Sequence, residues 1–291
     1  MSESYSEKVM RITITIDSGG GKAESLIFTD HAMSCRITKQ GAPELPKASV
    51  SIYGLSEAQM SHLTLLSFDS LSLRRNVIEI AAGEKGKELA IVFQGEIMNA
   101  APDMNAMPSP VMQLEAITAA YPKLIPLSPV AVKGSQTVND LAKTFAQEAG
   151  LTYEGHGVTG SVKDCVISGD PITKLEKLAE MAGVDMVVDD TQVNFIAPNA
   201  AKKEAVPLSM AEIINPWTGG QIGYPSFDSM GVQVTCFFRP DLQVAGLMRI
   251  QSGMPRASGL WKIYSVSHEL SVNQPGGGAW RTQASGTWME K

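Results

Sequence analysis

The feature that most constrains this chain is a change of hydrophobic period along its length. Met10, Ile12, Ile14 and Ile16 are apolar while Arg11, Thr13, Thr15 and Asp17 are polar, the period of two that a half-buried strand requires. The alternation returns at Ala48, Val50 and Ile52, at Met112, Leu114 and Ala116, and at Val232, Val234, Cys236 and Phe238. Between the last two of these runs the period becomes helical, with Val138, Leu141, Ala142, Phe145, Ala146 and Ala149 recurring at three- and four-residue steps. The ends of the chain therefore call for sheets and its middle for helices.

Local punctuation sharpens that division. Ser56 and Gln59 form a capping box, with Leu55 and Met60 as its hydrophobic staple, and predict a helix to about residue 66 that buries Met60, Leu63 and Leu66. Strands follow at 77–81 and 89–97 across a Gly83-Glu84-Lys85-Gly86 turn. The stretch from Pro102 to Pro110 reads as a long loop; its Met104 and Met107, with Met112 beyond, suit core gaps or an adaptable contact surface. Prolines between Pro122 and Pro129 mark a boundary. Thr137 caps the first central helix and Gly150 ends it; Asp170 with Pro171 opens a second, which buries Ile172, Leu175, Leu178 and Ala182 and stops at Gly183. Val184, Met186 and Val188 then alternate, Asp189-Asp190 turns, and Val193 and Phe195 return. Beyond a Lys202-Lys203-Glu204 linker come strand-like runs at 242–250, 260–272 and 279–288, the last two a hairpin around Gly276-Gly277-Gly278. No fixed-period repeat stands out. The expected architecture is α+β, mainly β: β-rich segments at 1–121 and 205–291 bracket an α/β module at 130–198.

Composition removes several functions. With 44% apolar and 19% charged residues in 291, the chain can build a core. A net charge of −6 disfavours a phosphate-gripping nucleic-acid binder. The polar, acidic opening has no h-region of a secretory signal, and no apolar run nears the roughly 20 residues of a membrane span, so a soluble chain made in the cytoplasm and not inserted in a membrane is expected. Cys35, Cys165 and Cys236 are odd in number and far apart, which suits reduced core thiols.

The search for chemistry returns little. Neither the triplet Gly19-Gly20-Gly21 nor Gly276-Gly277-Gly278 leads into G-K-[ST] or a helix, so both read as turns. His268-Glu269 opens like a zincin motif, but Val272 stands where its second histidine belongs. His31, His62, His156 and His268 lie in unrelated contexts, no G-x-S-x-G elbow exists, and Cys165 and Cys236 sit in strand-like runs. Asp189-Asp190 reads as a turn and Glu176/Glu180 as a solvated helix face. No catalytic, metal or cofactor residue is assigned. Residues 132–145, with Gly134, the capping Thr137 and Leu141-Ala142, resemble the opening of a LysM module, which keeps peptidoglycan binding as an alternative, with a cryptic cell-wall hydrolase behind it.

Three stretches resemble the baseplate hub proteins of contractile-tailed bacteriophages. The first is Ala48 to Ser56, a strand, turn and helix start. The second is the middle module, in which Leu141-Ala142 precedes Ala149-Gly150, Leu178-Ala179 precedes Ala182-Gly183, and residues 193–198 close the segment. The third runs from Ile222-Gly223-Tyr224-Pro225 through Gly231-Val232, Arg239-Pro240-Asp241-Leu242 and Gly259-Leu260-Trp261 to Trp280-Arg281-Thr282 and Gly286. Gly246 departs from the pattern, since the usual hub has its glycine just after the Pro-x-Leu strand, which leaves the local register open.

The resemblance implies two tube-like antiparallel β domains around the α/β module, and a homotrimer in the virion tail baseplate. Such a ring adapts the hexameric tail tube, or its initiator, to the trimeric cell-puncturing spike, and DNA passes through its channel without specific binding. It implies no enzyme activity and no cofactor. An acidic channel wall is expected from the net charge. Trp261, Tyr264, Trp280 and Trp288 on the final hairpin are the interface candidates, with packing in their own core the plain alternative for each.

Overall fold

The computed structural model describes residues 6–17, 23–68, 76–105, 109–125, 127–202, 205–209 and 222–289. The first alternating run becomes β1 (Lys8–Asp17), followed by β2 (Ala23–Phe28), β3 (Met33–Gln40), β4 (Lys47–Tyr53), α1 (Glu57–Phe68), β5 (Val77–Glu84), β6 (Ala90–Asp103) and β7 (Val111–Ile117). Met10, Ile12 and Ile14 are wholly buried, as are Ile52 and Met112, so the apolar half of each alternation enters one core. The capping box forms as expected: the Ser56 amide donates to Gln59 Oε1 at 2.9 Å, and the Gln59 amide to Ser56 Oγ at 3.3 Å. Leu55, Met60 and Leu63 of this turn and helix close the core; the side chain of Leu66 lies outside the described residues.

Two differences from the sequence reading have plain causes. Strand β2 carries no clean apolar alternation because it is an exposed edge, and β3 alternates through Met33, Cys35 and Ile37 but places Lys39 at the next inward position. The loop after Pro102 is shorter than expected, since β6 continues to Asp103 and Pro102 lies opposite Met112. Beyond Glu96 no β5 residue pairs with β6, so a proline there interrupts no ladder on that side. Met112 is core and Met104 exposed, while Met107 lies outside the described residues, as does the triplet Gly19-Gly20-Gly21.

The middle segment forms β8 (Val130–Thr137), α2 (Val138–Glu148), β9 (Thr152–His156), β10 (Ser161–Ile167), α3 (Pro171–Ala182), β11 (Asp185–Asp189) and β12 (Gln192–Ile196). The LysM-like residues are β8 and α2. Thr137 Oγ1 accepts from the Asp140 amide at 3.2 Å, and Asp170 Oδ1 from the Thr173 amide at 2.9 Å. Gly150 and Gly183 both take left-handed φ, 71° and 63°, to end their helices. Contrary to the sequence reading, a spacing recurs here: cap 170 against 137, terminator 183 against 150 and strand start 185 against 152 are each 33 residues apart. The two β-α-β units pair through β8 and β10, pack α2 on α3, and flank β12 with β9 and β11. From cap to strand start the match survives in sequence only as Ala146 against Ala179 and Ala149-Gly150 against Ala182-Gly183.

The final segment forms β13 (Ala205–Ser209), β14 (Ser226–Phe227), β15 (Val232–Phe237), β16 (Leu247–Gln251), β17 (Gly259–Val272) and β18 (Trp280–Trp288). The strand expected over 242–250 is confined to β16, because Ala245 adopts a φ of 62° and the Gly246 amide bonds back to Gln243 O at 3.0 Å, which makes a turn of the preceding residues. The β17–β18 hairpin turns through Gly276 and Gly277, both at positive φ, as expected.

One large, mostly antiparallel sheet runs β14-β15-β18-β17-β3-β4-β7-β6-β5-β1-β2, with β16 beside β17 and β13 beside β16; β8–β10 and β11–β12–β9 are small sheets. The two β-rich ends are thus joined strand to strand, β17 lying antiparallel to β3 from Ser265↔Gln40 to Val272↔Met33. Leu270 and Val272 consequently enter the first core, while Trp261 and Ile263 enter a core of the final segment. The β11–β12 hairpin is buried on both faces: Met186, Val188, Val193 and Phe195 face the helices, and Val187 and Ile196 face the final segment. No described helix is long and apolar enough to cross a membrane.

Candidate functional site

The three segments meet at the Asp189-Asp190 turn between β11 and β12. Lys39, at the inward position of β3 that the alternation reserves for an apolar residue, reaches Asp189 Oδ1 at 2.6 Å and Asp190 Oδ1 at 3.3 Å. Lys202 closes on Asp189 Oδ2 at 2.8 Å, and the Gln94 amide of β6 donates to Asp190 Oδ1 at 2.9 Å. Burial works against the charge on Lys39, but the two carboxylates outweigh it and hold its pKa above the usual lysine value. The Asp189 carboxyl lies well below the usual range: two ammonium groups overcome its desolvation. Asp190 is pushed up, by burial first and then by the charge of Asp189, against the pull of Lys39. The sequence reading took the pair for a turn and Lys202 for part of a linker; with Lys39 they form one half-buried ionic junction, and Lys203 and Glu204 lie outside the described residues.

Cavities of about 350 and 420 Å³ flank this turn. The first is lined by Gln94, Glu96 and Leu151, the second by Glu154, His156 and Gln243. Several of their polar groups are already engaged: Gln192 Nε2 donates to Glu154 Oε2 at 3.0 Å, His156 Nε2 lies 3.3 Å from Asn194 Oδ1, and the Ala120 amide donates to Glu96 Oε2 at 3.0 Å. Neighbouring residues on β17 point to opposite faces. His268 is buried, 2.9 Å from Thr282 Oγ1, and burial together with the nearby Lys39 charge pushes its pKa down to about 3. Glu269 faces outward between Arg36 and Arg281. The two share no ligand position, and no group of three or more His, Cys, Asp or Glu suited to a metal occurs among the described residues. Cys35 is buried 3.5 Å from Met10 Sδ, and burial raises its thiol to about 12, far from a nucleophile.

The four aromatic candidates do not converge. Trp261 is buried, its Nε1 donating to Ala257 O at 2.9 Å, and its ring meets Trp288 edge-on at 5.0 Å. Trp288 is 55% exposed and lies across Gly259, where a Cβ would come within 2.6 Å of its ring. Trp280, at the far end of the hairpin, packs on Phe238 at 5.3 Å with Lys8 Nζ over its ring. Tyr264 donates to Asp228 Oδ2 at 3.0 Å, and Asp228 also accepts from the Met230 and Gly231 amides, which braces the β14–β15 turn. That turn and the edge strand β14 present Tyr224, Phe227 and Met230 to solvent, an apolar group that sequence reading missed because it lies off the alternating runs. At the other end of the sheet Ile27 of β2 is 62% exposed.

The arrangement is thus one of surfaces and a braced interior, and the comparison with known proteins agrees. A family model for baseplate hub gp41 matches residues 9–274. The chain belongs to the baseplate hub gp41 family. This hub protein is accordingly a structural component of a phage tail baseplate, as the three resembling stretches imply. Its fold is similar to that of the 43 kDa tail protein of prophage MuSo2 from Shewanella oneidensis, with a TM-score of 0.61, 10% identity and 97% of each chain covered. It is similar also to a tail protein from Neisseria meningitidis MC58, with a TM-score of 0.58 and 12% identity over 94% of the hub and 95% of that chain. A third likeness is to an E. coli component of the type VI secretion system described as structurally similar to T4 tail proteins gp27 and gp5: TM-score 0.59, 8% identity, 94% of the hub and 76% of that chain. No curated protein matches the hub in sequence.

Proposed function

We propose that this hub protein is a non-enzymatic adaptor: three copies form a ring that joins the hexameric tail tube to the trimeric cell-puncturing spike, with the DNA channel at its centre. In this reading residues 1–121 and 205–291 are two tube-like domains, 130–198 is a bracing module, and three chains present six similar units to the tube. The chain is made in the host cytoplasm and ends in the virion tail.

The observation that carries the reading is the β3–β17 ladder. It sets the two β-rich segments side by side in one sheet through main-chain bonds, the junction a ring would repeat between copies. Edges remain at both sheet ends, where β2 bears exposed Ile27 and β14 exposed Phe227, and Trp288 adds an apolar face on the last hairpin. The test is native mass spectrometry of the chain alone and with a spike protein. A species of three times the 31.1 kDa chain mass is expected, and a strict monomer in both samples would refute the ring.

A further inference from the structure

We propose that the uncovered face of the large sheet is a self-neutralised wall for a passing phosphodiester polyanion, in which Glu269 masks the guanidinium groups of Arg36 and Arg281. The inference rests on the hub reading and specifies which surface meets DNA and how it avoids holding it. Register places Glu269 of β17 directly opposite Arg36 of β3 on one side and Arg281 of β18 on the other. Glu269 pairs with Arg36, and its Oε2 accepts from Arg281 Nε at 2.7 Å. The arginine side chains are 69% and 51% exposed and the carboxylate only 21%, so the cationic tips face outward with their counter-charge beneath them.

Around this triad the face carries short hydroxyl side chains: Ser267 and Ser271 on β17, Ser34 and Thr38 on β3, Ser49 and Ser51 on β4. A concavity of about 290 Å³ lined by Arg36, Thr38, Gln40, Lys47 and Ser49 opens on it, with Lys47 Nζ 3.2 Å from Glu44. Glu115 on β7 lies opposite Ser49. Arg36, Arg281 and Lys47 are thus balanced by Glu269, Glu44 and Glu115, although the whole chain carries −6. The acidic wall expected from net charge does not describe this face. Hydroxyls and guanidinium groups are the side chains that contact phosphate oxygens. A phosphate reaching the outward tips of Arg36 or Arg281 meets guanidinium groups whose charge Glu269 already offsets from below, so the attraction it gains is small. The duplex is tolerated without being gripped.

The test is a gain of binding. Fluorescence anisotropy with a labelled DNA duplex should give no saturable binding for the wild-type chain. Glu269→Gln frees two guanidinium groups, so it should bind, with affinity falling about tenfold between 50 and 200 mM salt, the dependence expected for about two phosphate contacts. Adding Arg36→Ser and Arg281→Ser should return the chain to wild-type behaviour. Equal behaviour of Glu269→Gln and wild type, with melting temperatures unchanged, would overturn the masking. In assembled tails, a photo-crosslinker at Ser267→Cys should capture DNA in transit. Tails that contain the chain and eject DNA without an adduct would overturn the wall, whereas absence of the chain from purified tails would refute the hub reading itself.

Discussion

Replacing Lys39 by methionine probes the ionic junction that ties the first segment to the middle one and to Lys202. Methionine keeps most of the apolar stem and removes the ammonium. The Lys39 side chain is 12% exposed, and those of Asp189 and Asp190 are 14% and 25% exposed, so the carboxylates it leaves behind are poorly hydrated. Breaking a buried pair from one side costs about 3–5 kcal/mol. The lower end applies, because Asp189 keeps Lys202 and Asp190 keeps the Gln94 amide; about 3 kcal/mol corresponds to a fall of about 5 °C in melting temperature for a chain of this size. The pH dependence fixes the cause. Asp189 has a depressed pKa, so its stabilisation is present above the ordinary carboxylate pKa and is lost as pH falls through its folded value. Asp190 has a raised pKa, so its ionisation costs stability as pH rises, and it does so more without Lys39. The gap between wild type and variant, followed by differential scanning calorimetry, should therefore narrow from pH 7 to 4.5, and Lys39→Met/Asp190→Asn should recover about half of it. A fall below about 3 °C at pH 7, or a gap that does not change with pH, would refute the electrostatic account.

Three further outcomes are expected. His268 is held near 3 in the folded chain while the unfolded imidazole titrates near 6.5, so its contribution is complete above that value and is lost as pH falls below it; urea unfolding should show about 2 kcal/mol lost from this group between pH 6.5 and 5, absent in His268→Asn. Thr137→Ala and Asp170→Ala each remove a helix cap and should cost about 1 kcal/mol, measured as the shift in urea midpoint. Gly95→Ala would place a Cβ 2.9 Å from the backbone of Ile117 and 2.8 Å from Phe93, so it should lower stability by about 1–3 kcal/mol, a loss that the same midpoint records.

By itself, the sequence determined each element whose energetics are local. The capping box at Ser56, the caps Thr137 and Asp170, the terminators Gly150 and Gly183 and the alternation at 10–16 each set one segment's conformation and its buried face. The family was legible for the same reason, in strand-turn-helix patterns that lie close together in the chain. What depends on pairing across long separations was decided only by tertiary structure. Lys39 broke the alternation of β3 because its partners lie 150 residues away, and Glu269 meets Arg36 across 233 residues. Neither separation leaves a periodic mark, since a charge on a strand reads as solvated until the sheet brings its counter-charge alongside. The −6 net charge shows the limit most plainly: composition supplied a total, and only register showed Glu269 set between Arg36 and Arg281 on one face of the sheet.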